Sequence, residues 1–279
     1  MRLGYNIRAS LTMLRHPRQG AERIRGRMDR RSDLRELAAL GIPQSDFYQV
    51  AEDWSRLLHE AIDAPWPCPD AAGYAKVWDS TIADLTVAGV RVGLASYAGW
   101  SDCDQAQAEA VWCLVAHLRP ATVVETGVAH GVTTRIILEG LERNGSGHLW
   151  SVDLPAVDPA LHQEIGIAVP AELRSRWTYI KGTSRERLPH IVSKLQQLDL
   201  FIHDSLHTGR NLCFELDTAW SALRPGGGAV IDDIDHSLGF RRFTDQAAPA
   251  AWVAARHVAG RGLWGVAIKG HALGERTPT

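Results

Sequence analysis

The chain has 279 residues, with 30 Lys and Arg against 32 Asp and Glu, for a formal charge of −2. That length accommodates one large core plus a modest appendage, and the near-balanced charge argues against a dedicated nucleic-acid or polyanion binder, whose footprint is a strongly basic domain. Four cysteines, Cys68, Cys103, Cys113 and Cys213, are scattered without a C-x-x-C pair; they read as reduced thiols, suggesting neither a zinc site nor a disulfide framework.

Residues 1 to 35 are rich in Arg, including Arg23, Arg25, Arg27, Arg30 and Arg31. They read as a solvated helical or frayed arm, with a surface for acidic lipid, phosphate or a partner chain as the sharper alternative. Arg8 and Arg15 interrupt any signal-peptide core, and no apolar run could span a bilayer, so a cytoplasmic protein is expected. Residues 32 to 62 carry apolar residues at helical spacing (Leu34, Leu37, Ala38, then Val50, Trp54, Leu57, Leu58), which predicts two helices broken at Gly41-Ile42-Pro43. The prolines of Ala64-Pro65-Trp66-Pro67-Cys68-Pro69 make that stretch a linker. A helix is expected over Ala71 to Leu85, whereas Val87 to Tyr97 is too glycine-rich to assign. Ser101-Asp102-Cys103-Asp104 offers capping oxygens to a helix with Ala110, Val111, Leu114, Val115 and Leu118 on one face, closed by Pro120. The expected division is a helical extension over 1–100 and a catalytic domain over 101–279.

The catalytic half opens on V-V-E-T-G-V-A-H-G-V-T-T, Val123 to Thr134: a buried strand delivers Glu125 to a glycine turn, and helical spacing starts at Val132. A dinucleotide fingerprint needs a small residue where Val132 stands. Gly127, Ala129 and Gly131 instead follow an E/D-x-G-x-G-x-G turn with Ala in the middle place. Further strands are expected at His148 to Val152, ending on Asp153; at Trp177 to Lys181, running into Gly182-Thr183-Ser184; and at Leu198 to His203, ending on Asp204. A helix after Asp204 carries Leu212, Leu216, Ala219, Trp220 and Leu223. A fifth strand follows L-R-P-G-G-G and ends at Asp232 and Asp233; Trp252 to His257 and Leu263 to Lys269 read as a closing hairpin. Polar residues gather where each strand stops, which is where open α/β sheets bind ligands.

E-T-G-V-A-H-G, S-V-D-L-P, K-G-T-S, H-D-S-L-H-T and L-R-P-G-G-G-A-V-I-D-D occur in one order. With them, the chain from about Ser101 to Gly270 resembles a class I S-adenosylmethionine-dependent methyltransferase, most similar to the branch of macrocin-type sugar O-methyltransferases and cephalosporin-hydroxylase-like proteins. The resemblance implies an α/β, Rossmann-like, seven-stranded and mostly parallel sheet, with a C-terminal antiparallel strand and helices on both faces. It implies S-adenosylmethionine as cofactor, with Glu125, Gly127, Ala129 and Gly131 at the methionine side, Asp153 on the ribose, and Gly182 with Ser184 beside the adenine.

A hydroxyl is a poor nucleophile until its proton is removed or weakened. Asp204, Asp232 and Asp233 offer the hard oxygens that Mg²⁺ or Mn²⁺ prefers, and His207 is the candidate general base. These acids can equally cap turns or lie solvated, and His207 can serve as a loop histidine. His203 should point to the opposite face from Asp204; His236 is a candidate metal or acceptor contact, and His130 lies in the cofactor turn. Trp100, with Tyr97, is placed to meet the apolar side of a sugar ring, although most of the ten tryptophans are expected in the core. The expected activity is metal-assisted O-methylation of a small-molecule or oligosaccharide hydroxyl, with the extension as lid, acceptor wall or homodimer contact. A metal-independent methyltransferase, a nicotinamide oxidoreductase and a non-catalytic cofactor-binding protein are the alternatives.

Overall fold

The computed structural model describes residues 17–41, 46–97, 101–258 and 262–270. Its centre is a sheet of seven strands: β1 (Thr122–Thr126), β2 (His148–Asp153), β3 (Trp177–Lys181), β4 (Leu198–His203), β5 (Leu223–Ile231), β6 (Ala251–Arg256) and β7 (Leu263–Ile268). Their order is β3-β2-β1-β4-β5-β7-β6. The first five are parallel, β7 runs antiparallel to β5, and β6 to β7. The expected Rossmann-like sheet and closing hairpin are therefore present.

Side chains alternate across each strand with period two, so Val123, Leu149, Leu200, Val230 and Val266 enter one core while Val124, Val152, Phe201, Ile231 and Ala267 enter another. The helices are α1 (Pro17–Leu40), α2 (Trp54–Ala61), α3 (Ala71–Val87), α4 (Gln105–Leu118), α5 (Val132–Asn144), α6 (Ser184–Leu195), α7 (Gly209–Ala222) and α8 (Gly239–Ala247). Helices α4 and α5 cover the first face, α6 to α8 the second. Their starts are set locally: Asp104, Thr183 and Thr208 accept backbone N–H bonds from Ala106, Glu186 and Asn211, each satisfying a donor that the first helical turn leaves open.

Three expectations need correction. The glycine run of the fifth strand does not precede it: β5 begins at Leu223 and includes Pro225 to Gly228, with its pairing to β4 shifting between Leu198 and Leu200. A Cβ on Gly227 would stand 2.7 Å from the Asp199 carbonyl oxygen, so glycine there permits the two backbones to approach. Leu223 accordingly sits in β5 rather than on the α7 face. Val50 is not helical; it bridges Ala254, and the Ala51 amide donates to the Ala254 carbonyl at 2.8 Å.

Described residues within the amino-terminal hundred pack against the sheet's core. Leu58 and Tyr74 are buried with Trp112 and Leu114, and Trp54 meets Trp264 edge-on with centroids 5.0 Å apart. Helix α1 reaches the loops beyond β2 and β4: Arg23 donates to the Pro155 carbonyl, Leu206 packs on Gly26, and Asp33 accepts the Gly209 amide at 3.1 Å. Among the described residues, no helix is long and apolar enough to cross a membrane.

Candidate active site at the carboxyl rim of the sheet

Strand order reverses between β1 and β4, the switch point at whose carboxyl ends open α/β sheets bind their ligands. Backbone bonds continue one residue past the strands and stiffen this rim: Gly127 N–H to Val152 O, Asp204 N–H to Thr126 O, Asp232 N–H to His203 O, and Gly182 N–H to Asp153 O, all 2.8–3.0 Å. One row of residues, Gly127, Asp153, Asp204 and Asp232, thus begins the loops at a common level.

The turn after β1 requires its glycines. Gly127 has φ +91°, and a Cβ there would lie 1.8 Å from the Asp204 carbonyl oxygen; no side chain fits between these loops. Gly131, at φ +85°, starts α5 and would meet Gly166 at 2.8 Å. Ala129 also adopts positive φ, +47°, at a cost of about 1–2 kcal/mol. The turn is tethered by the Gly166 and Ala168 amides, which donate to the Ala129 and His130 carbonyls at 2.9 Å. His130 is buried, with Nδ1 2.9 Å from Asp102 and Nε2 3.4 Å from Glu164. Burial opposes its charge, yet the two carboxylates raise its pKa. It clamps the turn to its surroundings.

Glu125 is 1% exposed. Its Oε2 accepts from Thr134 (2.8 Å) and Ser151 (2.6 Å), while Oε1 is buried with no partner. Burial pushes its pKa up to about 8, against the pull of those two hydroxyls. Asp153, where β2 ends, is raised by burial to about 6, opposed by the Ala129 and Leu154 amides. At Gly182, φ is +150°. Ser184 opens α6 with its hydroxyl 3.5 Å from Asn211.

The three aspartates meet around one imidazole. His207, 7% exposed, holds Asp233 Oδ2 at 2.7 Å through Nδ1, and its Nε2 lies 3.4 Å from Asp204 and 3.9 Å from Asp232. His257 Nε2 stands 3.0 Å from Asp232, and His236 Nδ1 3.2 Å from Asp233. Burial and then the Asp232 charge push Asp204 up to about 6. Burial works the same way on Asp233, but the hydrogen bond and charge of His207 outweigh it and hold Asp233 at about 2. His207 is raised well above the usual imidazole range, burial being outweighed by Asp204 and Asp233. Donor atoms of Asp204, His207 and Asp232 lie within 4.8 Å of one another, as do those of His207, Asp233 and His236, and of Asp232, Asp233 and His257. The first and third sets, each of two carboxylates and one imidazole, suit a hard divalent cation, whereas the second is richer in nitrogen.

The expected acidic cluster is thus assembled, with His236 beside it. His203 faces away, as its place before Asp204 requires: it is fully buried, 2.7 Å from Glu215. Tyr97 is buried against His130, centroids 5.1 Å apart, on the Asp153 side of the rim rather than beside the three aspartates. Trp100 lies outside the described residues. Sequence reasoning missed His257, Asp102 and Glu164. His257 follows β6 in the hairpin, and nothing in its local pattern signals that β6 and β7 return it to Asp232.

Residues 124–234 match the family model described as a methyltransferase domain. A search of curated proteins finds no match. Among solved structures, the chain resembles the O-methyltransferase from Bacillus cereus in complex with SAH: 18% identity, TM-score 0.51, covering 78% of this chain and 99% of that one. It also resembles TomG of Streptomyces achromogenes, an O-methyltransferase of tomaymycin synthesis in complex with SAM: 13% identity, TM-score 0.50, covering 81% and 93%. At such identities these likenesses establish the fold.

Proposed function

We propose that the protein, whose residues 124–234 match a methyltransferase-domain model and which shares its fold with O-methyltransferases, is an S-adenosylmethionine-dependent O-methyltransferase whose acceptor hydroxyl is activated at the cluster around His207. The observation that carries this reading is the contact of two loops: the Asp204 carbonyl lies against Gly127 so closely that no side chain fits. The turn that would hold a methyl donor and the acid cluster that would hold an acceptor are therefore immediate neighbours, as in-line transfer requires.

The pocket chemistry suits the donor. Glu125 keeps one buried oxygen without a partner, an acceptor for a cationic amine, and Asp153 presents a carboxylate for ribose hydroxyls at the end of β2. Gly127, Ala129 and Gly131 shape the turn, and Gly182 with Ser184 borders the adenine side. S-adenosylmethionine, when bound, supplies a sulfonium-activated methyl group. With a cation on Asp204 and Asp232 to offset the carboxylate charge that raises the His207 pKa, Nε2 is left deprotonated and accepts the acceptor's hydroxyl proton. Asp233, bonded to Nδ1, fixes the ring's orientation and stabilises the imidazolium. Asp204 and Asp232 would hold Mg²⁺ or Mn²⁺, with Asp233 and His236 at its edge; the ion supplies Lewis acidity toward the acceptor oxygen. A small hydroxylated acceptor, a sugar of a glycan, glycolipid or glycosylated natural product, is supported by the motifs shared with sugar O-methyltransferases and by a rim of carboxylates suited to polyhydroxylated ligands.

Thermal melting tests the reading directly. S-adenosylhomocysteine should raise the melting temperature, by about 2.7 kcal/mol of stabilisation at 100-fold excess over its dissociation constant, and NAD should not. Methyl transfer to a panel of glycosides should vanish in EDTA and return with Mg²⁺ or Mn²⁺. Stabilisation by NAD alone would sink the proposal, and full activity of Asp204→Ala in EDTA would remove the metal.

A further inference from the structure

Two histidines and two cysteines meet near the carboxyl end of α4, away from the rim that methyl transfer uses. His59 comes from α2, Cys68 from the proline-rich linker, and Cys113 and His117 from successive turns of α4, four residues apart on one helical face. Ligand atoms of His59, Cys68 and His117 all lie within 4.8 Å of one another. Cys68 Sγ is 3.5 Å from His117 Nε2 and 3.6 Å from Cys113 Sγ. A tetrahedral zinc ion, with bonds of about 2.3 Å to sulfur and about 2.0 Å to nitrogen, spaces two sulfurs by about 3.8 Å and sulfur from nitrogen by about 3.5 Å. Cys68 Sγ and His117 Nε2 already stand at that sulfur–nitrogen spacing and His59 lies within 4.8 Å of both, whereas Cys113 stands outside this set and donates its S–H to Cys68 Sγ.

His59 supplies an independent indication. Its side chain is fully buried, and Nδ1 lies 2.6 Å from the Ser55 carbonyl, which fixes the proton on Nδ1. Nε2 is left as a bare lone pair, buried and without a hydrogen-bond partner. A buried acceptor without a donor is destabilising, and an imidazole oriented by a backbone carbonyl through its other nitrogen is the usual outer arrangement of a metal-ligating histidine. A disulfide between Cys68 and Cys113 would leave that lone pair unexplained.

We propose that His59, Cys68 and His117 form a structural zinc-class site, its Cys68 sulfur steadied by the Cys113 thiol, that fastens α2 and the linker to α4. It lies in the last two turns of α4, which lead into β1 from its amino end, whereas the acid cluster lies at the carboxyl ends of the strands. The ion therefore serves attachment rather than methyl transfer.

The test is elemental analysis of the purified full chain, with chelator-stripped protein titrated by Co²⁺. The expected result is about one zinc per chain and, with cobalt, the thiolate charge-transfer and intense visible bands of a tetrahedral sulfur-bearing site. Cys68→Ser and His59→Gln should weaken zinc binding at least tenfold, as ligand losses do, while Asp204→Asn retains it. Should a ligand variant fail to fold, mercurial titration of the wild-type thiols, releasing zinc in step with modification of Cys68, supplies the same evidence. Absence of zinc from the reduced chain, a Cys68–Cys113 disulfide found by mass spectrometry, or zinc lost in Asp204→Asn and kept in Cys68→Ser would each overturn the proposal.

Discussion

His207 concentrates the proposed chemistry in one side chain, because Asp233 occupies its Nδ1 and directs Nε2 toward Asp204 and Asp232. Replacing it with Asn keeps a hydrogen bond but removes the base. The expected loss in kcat is about 10²–10⁴-fold, with S-adenosylhomocysteine affinity by calorimetry unchanged; an equal loss in donor affinity would assign His207 to binding instead. Glu125 gives a pH signature. Its pKa is raised by burial from 4.5 to about 8, so the folded state binds the extra proton, and this contribution to stability is complete below pH 4.5 and lost as pH rises through 8. Urea midpoints at pH 5 and pH 8 should therefore fall for the wild type and stay flatter for Glu125→Gln. The motif residues at this scale were legible from spacing alone, since Gly127, Asp153, Asp204 and Asp232 each follow a strand. Which atom bonds which was not: nothing in H-D-S-L-H-T tells that His207 is held by Asp233 rather than by Asp204.

Strands β1 and β4 and helix α7 are joined by a buried polar network that no motif announces. Glu215 of α7 accepts from Thr126 (2.5 Å), Ser205 (2.7 Å) and Asn211 (2.8 Å), and lies 2.7 Å from His203. Burial works against its charge, but the His203 charge and these hydrogen bonds hold its pKa at about 2 instead of 4.5. The depressed value means that its contribution is present above pH 4.5 and lost as pH falls toward 2, on the order of 3 kcal/mol. Acid titration of stability should show that loss in the wild type and not in Glu215→Gln. A pH-independent difference between the two proteins would refute this account. Helix α7 itself was readable from its apolar spacing, whereas β5 was read too short because its glycines, placed before it, are tolerated in a strand where the β4 backbone comes close.

At the level of the whole molecule, α1 is tied to the starts of α6 and α7 and to α8 by the ion pairs Glu22–Arg185, Asp29–Arg210 and Glu36–Arg242, and to the active-site rim by two hydrogen bonds. Asp33 accepts the Gly209 amide at the start of α7, and Arg23 reaches the loop after β2. If α1 acts as the proposed lid, Asp33→Ala should free it: limited proteolysis within 17–53 should accelerate several-fold, while hydrogen exchange in β1 and β4 stays unchanged. Loss of protection throughout the sheet would show instead that α1 belongs to the folding core.

Local chemistry wrote much of this protein in the linear chain. Period-two and helical apolar spacing, capping residues and glycines at tight turns act between near neighbours, so the alternating elements and the row of polar strand ends could be read directly. The closing of His207 on three aspartates, the return of His257 from the last hairpin and the meeting of Cys68 with Cys113 and two histidines depend on contacts between distant segments. They arise only when sheet order and helix packing bring those segments together, because their energies are set by burial and distance in space, neither of which is encoded in the spacing of the residues along the chain.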